Sequence, residues 1–153
     1  SSNYIQGTAK EMLIQDACLG RSLLVRLDHG SEIVSQITEI AREKQIEAAT
    51  FNVIGALSRA DLGCYDQASH EYHVSAVEEP VELASCSGNI SLLEGQPFVH
   101  AHAVLANGRG LVWAGHLVRG SIFAAELCLQ ELKGKKLKRT LDFVTGLNLW
   151  TSE

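Results

Sequence analysis

No apolar run in this chain approaches the ~20 residues that a membrane-crossing helix needs. The N-terminal stretch also lacks a basic segment followed by an apolar one, so neither a membrane span nor a secretory signal is expected. Positive charge is scarce. Against 18 Asp and Glu stand 13 Lys and Arg, a formal net charge of −5 at pH 7, which offers no broad electrostatic footprint for a phosphate backbone. Cys18, Cys64, Cys86 and Cys128 are far apart and form no Cys-x-x-Cys pair. They read as reduced, mostly buried small side chains rather than a disulfide framework, which fits a cytoplasmic protein. Several signatures are missing: G-x-G-x-x-G, the P-loop, G-x-S-x-G and H-E-x-x-H. No internal repeat or low-complexity segment is present either.

The 153 residues, 46% apolar and 20% charged, suffice for one domain with a real core. Ser1 to Gly7 is polar and reads as loose, and Lys10 to Leu19 is ambiguous between helix and strand. Ser22 to Leu27 alternates as a strand with Arg26 near an exposed edge. Asp28 to Ser31 is a turn. Ile33, Ile37, Ile40 and Ala41 then fall at helical spacing, with Ser31 as the expected N-cap and Glu32 in the first turn. Strands follow at Ala48 to Ile54 and Ala60 to Tyr65, separated by a Gly55-Ala56 break that suggests a bulge or a close backbone approach. Glu71 to Val77 pairs back, leaving His70 and His73 exposed. Val81 to Leu93 makes one or two strands, with Gly88 marking a bend or bulge. Thr140 to Val144 and Leu147 to Trp150 are short strand-like pieces, Trp150 being placed to cover a core edge. Many strands with one clear helix and one doubtful one predict an α+β fold, a mostly antiparallel sheet with one or two helices packed on it.

The most informative stretch is Phe98 to Leu117, two apolar strands joined around Ala106 to Gly110, where Asn107-Gly108 is a strong hairpin signal. It holds His100, His102 and His116. Residues two apart on a strand share a face, so His100 and His102 point the same way. Whether His116 joins them depends on register. A two-residue loop puts it on the wrong face, a three-residue loop sets it opposite His100, and a five-residue loop sets it opposite His102. Cross-strand neighbours stand roughly 4.5–5.5 Å apart at Cβ, near enough to share one ion. Imidazole is the commonest zinc ligand, and three leave one position open. The plainer reading has these rings bonded to a carbonyl, a carboxylate or each other.

Beyond the hairpin, Ser121 to Leu132 reads as a strand with Ile122, Ala124, Glu126 and Cys128 on one face. A carboxylate among apolar neighbours is costly unless paired. Glu126 is thus the candidate catalytic acid or base, or a second-shell acceptor for a metal-bound histidine, or the ion-pair partner of an arginine. Lys135, Lys136, Lys138 and Arg139 form the basic cluster, a solvated loop by default and the candidate nucleic-acid contact otherwise.

In order along the chain, several segments together resemble the plants-and-prokaryotes-conserved (PPC) domain. They are Leu27 to Gly30 before a helix, Val53 to Ser58, Ser87 to Ile90, His100 to Ala103, the Asn107-Gly108 turn, and Gly115-His116-Leu117 with Gly120 and Glu126. The same domain is the C-terminal part of plant AT-hook nuclear-localised proteins. The similarity covers roughly Gly20 to Phe143, which makes residues 1–19 an extension and 20–153 a single PPC-like domain. The resemblance implies a homotrimer and a metal site, usually zinc, at His100, His102 and His116. These positions are generally not histidine in the plant proteins, so the chain looks like the stand-alone prokaryotic type. A trimeric metal protein for an unidentified small ligand is therefore the first expectation, and a DNA-binding or transcription-associated module the second. The Arg-Gly-Arg-Pro hook that contacts DNA in the plant proteins is absent, and Asn107 to Gly110 is a turn, not a match.

Overall fold

Alternating apolar residues do build strands here, and the strands run longer than the turn signals suggested. The computed structural model describes residues 12–151. The expectations for Ser1 to Gly7 and for the start of the Lys10 to Leu19 stretch lie outside these residues. The elements are β1 (Cys18–Leu27), α1 (Ile33–Glu43), β2 (Ala49–Asp66), β3 (Glu71–Val77), β4 (Val81–Leu93), β5 (Gln96–Ala106), β6 (Val112–Lys133), β7 (Lys138–Leu141) and β8 (Asn148–Thr151). The fold is α+β as expected, with α1 the one helix among the described residues. No helix among them is long and apolar enough to cross a membrane.

The sheet order is β3-β2-β6-β5-β4-β7-β8, with β1 added on β6 and β2 also paired with β4. Thus β2, β6, β5 and β4 each pair with the next and β4 returns to β2, closing a ring. All these ladders are antiparallel; only β4 with β7 is parallel. Leu57, Leu83, Leu105, Ile90, Ile122 and Leu127 fill the core, each at most 1% exposed. Such a side chain contributes about 1.5–3 kcal/mol by leaving water. Helix α1 lays Ile33, Ile37 and Ala41 over β5 and β6.

Three expectations need correction. The N-cap is Glu32, not Ser31. Its longer carboxylate reaches the Val34 and Ser35 amides, each at 2.9 Å, and also accepts from the Gly120 amide on β6 at 3.0 Å, so one side chain caps the helix and anchors it to the sheet. Two expected strand pairs are each one strand: β2 runs through Gly55, and β6 runs through Val118-Arg119-Gly120. At Gly55 the register slips, and a Cβ would stand 2.0 Å from the Ala124 carbonyl oxygen, the close approach that the sequence suggested. The cysteines are free, but only Cys86 is buried, which pushes its thiol up to about 11; Cys18, Cys64 and Cys128 are exposed.

At the far edge, Arg21 of β1 grips Glu131 of β6. Its Nε and Nη2 donate at 2.9 and 2.8 Å, its backbone amide adds a bond of 3.0 Å, and Nη2 also reaches the Lys44 carbonyl at the end of α1, at 2.7 Å. The guanidinium hydrogen bonds hold the Glu131 carboxyl down to about 2. A carboxyl whose folded pKa is depressed adds stability above its unfolded pKa and loses it as pH falls towards the folded value. Arg21→Met should therefore be less stable than wild type above about pH 5, by on the order of 1–2 kcal/mol since Arg21 is half exposed and screened. The gap should shrink as pH falls to about 2, leaving only what the pH-independent bond to the Lys44 carbonyl contributes, as read by urea unfolding of both proteins. A gap independent of pH would rule this account out.

Candidate metal centre

Strand β5 alternates strictly. Val99, Ala101, Ala103 and Leu105 are buried, while His100, His102 and Val104 face the other way. The turn to β6 settles the register: Ala106 pairs with Val112 across a five-residue loop, and His102 stands directly opposite His116. Asn107 organises that loop, its Oδ1 accepting from the Arg109 and Leu111 amides, each at 3.0 Å. Of the three registers open to the sequence, this is one of the two that bring all three histidines to one face.

His100, His102 and His116 each offer a ring nitrogen, and these nitrogens all lie within 4.8 Å of one another. The Nε2 atoms of His100 and His102 are 3.2 Å apart. Two nitrogens held about 2.05 Å from one ion at tetrahedral angles would stand about 3.3 Å apart, so this pair is already spaced as zinc ligands are. It is equally a hydrogen-bond distance, so the plainer reading of rings bonded to each other holds for this pair alone. His116 Nδ1 is buried and has no hydrogen-bond partner. Such an orphan costs about 1–3 kcal/mol unless something bonds it. Burial, then the Arg139 charge, then the other two rings push His100 down to about 4. Burial and then His102 lower His116 as well. Neutral imidazoles are the form a metal takes, so the residues present fit a divalent ion.

The sequence did not point to what surrounds these rings. Gly63 of β2 pairs with His116, and because Gly63 has no side chain, the Tyr72 ring comes 3.1 Å from where its Cβ would be. Tyr72 meets His116 at 5.2 Å between centroids and Tyr65 at 4.9 Å. Tyr65 donates to the Thr145 carbonyl at 2.5 Å, tying the turn between β7 and β8 to the same place. Together they enclose a cleft of about 700 Å³ whose floor is the three histidines. Tyr65 and Tyr72 flank the 67–70 turn symmetrically and pair across it, a signal that was present in the sequence. Nothing in the sequence announced the β7–β8 turn. His70 and His73 are exposed as expected, His73 lying 3.8 Å from Asp66.

The remaining named residues lie elsewhere. Glu126 is exposed, opposite Arg26 and Ile54. It sits ten residues beyond His116 on the same strand, on the order of 30 Å away at strand rise. A register slip beside Phe123 breaks the expected alternation, so Ile122 is buried while Ala124, Glu126 and Cys128 are exposed. Lys135, Lys136 and Lys138 are exposed, Lys136 lying 3.4 Å from Glu47. Arg139 departs from the expected basic surface. It is 8% exposed, donates to Ser91 Oγ, Asn148 O and Asn89 Oδ1 at 2.8–3.0 Å, and lies between the Phe98 and Trp150 rings. Asn89 is the cross-strand partner of His100, so Arg139, buried beside it, braces the His100 strand rather than facing a phosphate.

Comparison with known proteins places this geometry. A plant- and prokaryote-conserved (PPC) protein from Pyrococcus horikoshii superposes with a TM-score of 0.88 at 41% identity, over 93% of this chain and 99% of that one. A metal-containing protein from Archaeoglobus fulgidus gives 0.89 at 40%, over 92% and 100%. A protein from Ralstonia eutropha, named as a candidate DNA-binding protein, gives 0.76 at 27%, over 85% and 90%. The bifunctional protein GlmU of a Synechococcus strain is 28% identical over 125 residues, which are 80% of this chain; the chain spans only 18% of that relative's length. The Plants and Prokaryotes Conserved (PCC) domain profile matches residues 15–133, and the chain belongs to that family.

Proposed function

We propose that this chain is a homotrimeric metal protein in which His100, His102 and His116 hold zinc or a similar divalent ion, with the cleft above them receiving a small ligand. The carrying observation is the convergence of three ring nitrogens within 4.8 Å beside an orphaned His116 nitrogen. The metal-containing relative from Archaeoglobus fulgidus, 40% identical over 92% of this chain, supports it. Bound zinc would supply a Lewis-acidic position with one site left open. Around it, Tyr65, Tyr72 and the β7–β8 turn limit water, and Arg139 and Asn89 hold the His100 strand. Glu126 has no part in this reading.

The trimer is supported by exposed apolar side chains on the outer face of the β1-β6-β2 segment, where Leu24, Ile54 and Phe123 are 84, 58 and 60% exposed. Water-facing side chains of that size are what an oligomer interface covers. The alternative, contact with DNA, rests on Lys44, Lys133, Lys135 and Lys136 lining one cleft of about 560 Å³. With a net charge of −5 and Arg139 turned inward, it is the weaker reading.

The test is metal content per chain, with particle mass by light scattering, on protein purified without a histidine tag. About one zinc per chain in a three-chain particle is expected. Metal-free protein that does not take up added zinc would defeat the proposal.

A further inference from the structure

The cleft over the three histidines has an unusual lining for a metal site. Among the described residues no lysine, arginine, aspartate or glutamate lines it. One wall is aromatic, from Tyr65 and Tyr72. The other comes from Val144, Thr145 and Leu147 of the β7–β8 turn, held in place by the Tyr65 hydroxyl and by Asp142 Oδ2, which accepts from the Thr145 amide and hydroxyl at 3.0 and 2.8 Å. Beside His116, Ala114 and Gly115 contribute almost no side chain, which keeps the floor open. At about 700 Å³ the space matches pockets that take small organic molecules.

We infer that this cleft selects a small organic monoanion, a carboxylate of roughly benzoate size, whose charged head meets the three-histidine centre and whose apolar body lies between the tyrosine wall and the β7–β8 turn. The inference rests on the metal reading above and names its ligand class. Imidazole ligands add no charge, so a divalent ion here keeps its full double charge, and no acidic side chain in the cleft offsets it. An anion is therefore preferred to a neutral head, and a cation is excluded by repulsion. Among the described residues the walls carry no charged side chain to pair with a second charge on the ligand, so a dianion or an amino acid would find only the neutral Gln67 and Thr145 among apolar surface. An aromatic body instead gains offset or edge-on contacts with Tyr65 and Tyr72.

The experiment loads the protein with cobalt(II), whose visible bands report its coordination, and titrates it with benzoate, acetate and benzyl alcohol. Benzoate should shift the bands and bind about tenfold more tightly than acetate, the difference being the buried ring. Benzyl alcohol has a similar body without the charge, and it should leave the bands unchanged. Tyr72→Ser and, separately, Val144→Ser should each bring the benzoate-to-acetate ratio towards about one while acetate affinity holds. Because Val144 is 72% exposed, the second variant does not depend on tolerance of a core change. If cobalt binds but benzoate gains nothing over acetate, or benzyl alcohol matches benzoate, this inference is overturned and the metal centre stands. If cobalt does not bind, the metal reading falls and takes this inference with it.

Discussion

Alanine at His102 is expected to lower zinc affinity by at least about a hundredfold and to leave the metal-free fold almost unchanged. His102 is the exposed member of the trio, while His100 and His116 are half buried. Removing its ring opens no core cavity, and the apo-protein should keep its unfolding free energy to within about 0.5 kcal/mol. The site, however, loses the ring opposite His116 and 3.2 Å from His100, leaving two ligands. Zinc at a hundred times its dissociation constant should stabilise the wild type by about 2.7 kcal/mol, because it binds only the folded chain. Thermal unfolding with and without zinc then separates the outcomes. A clear upward shift for wild type and none for His102→Ala is expected. An equal shift in both would place the ion elsewhere.

Gly88→Ala should be the most damaging single methyl group near this site. Gly88 lies on β4 between Phe51 of β2 and Ala101 of β5, and a Cβ there would stand 2.2 Å from Phe51 Cζ and 2.6 Å from the His100 carbonyl oxygen. The Phe51 ring is 2% exposed among the core side chains, and the carbonyl belongs to backbone that pairs with β4 on both sides of this point. A cost on the order of 3 kcal/mol or more follows from overpacking of this kind. Any relief moves the backbone of His100, so zinc affinity should fall together with stability. Gly108→Ala, in the loop with nothing within 4 Å, is the control and should change stability by less than about 0.5 kcal/mol. A urea midpoint for Gly88→Ala as high as that of the control would show that the sheet yields more readily than these distances allow.

The histidine site was legible because strand periodicity is rigid. Two histidines two apart must share a face, and only the loop length remained to be decided. A five-residue loop is one of the two that bring the trio together, and Asn107 bonding to its own loop selects it. Periodicity also explains the failures. One register slip near Phe123 is invisible in sequence, yet it turns Glu126 out into solvent instead of placing it with Ile122. Glu32 took the cap from Ser31 because a long carboxylate can serve the helix and Gly120 together, a tertiary demand that local preference does not contain. Arg139 sits in a run of lysines and reads as one of them. Only the fold brings Ser91, Asn89, Phe98 and Trp150 around it. Gly88 looked like a bend and is a straight ladder position, vacant of side chain because Phe51 occupies the space.

The grip of Arg21 on Glu131 joins residues 110 apart in the chain. Strand β1 has β6 as its partner, and the ring of β2, β6, β5 and β4 closes only once β6 is present. Four of the eight ladders, β1–β6, β2–β4, β2–β6 and β4–β7, thus join strands that are not consecutive in the chain, and loop closure must be completed before their contacts reward it. Folding should be slow for a chain of this size, in the range of milliseconds to seconds. On the ribosome β1 emerges before β6, and it has no place to dock until residue 133 is clear of the exit, so its exposed Leu19 and Leu24 must wait in an unpaired strand.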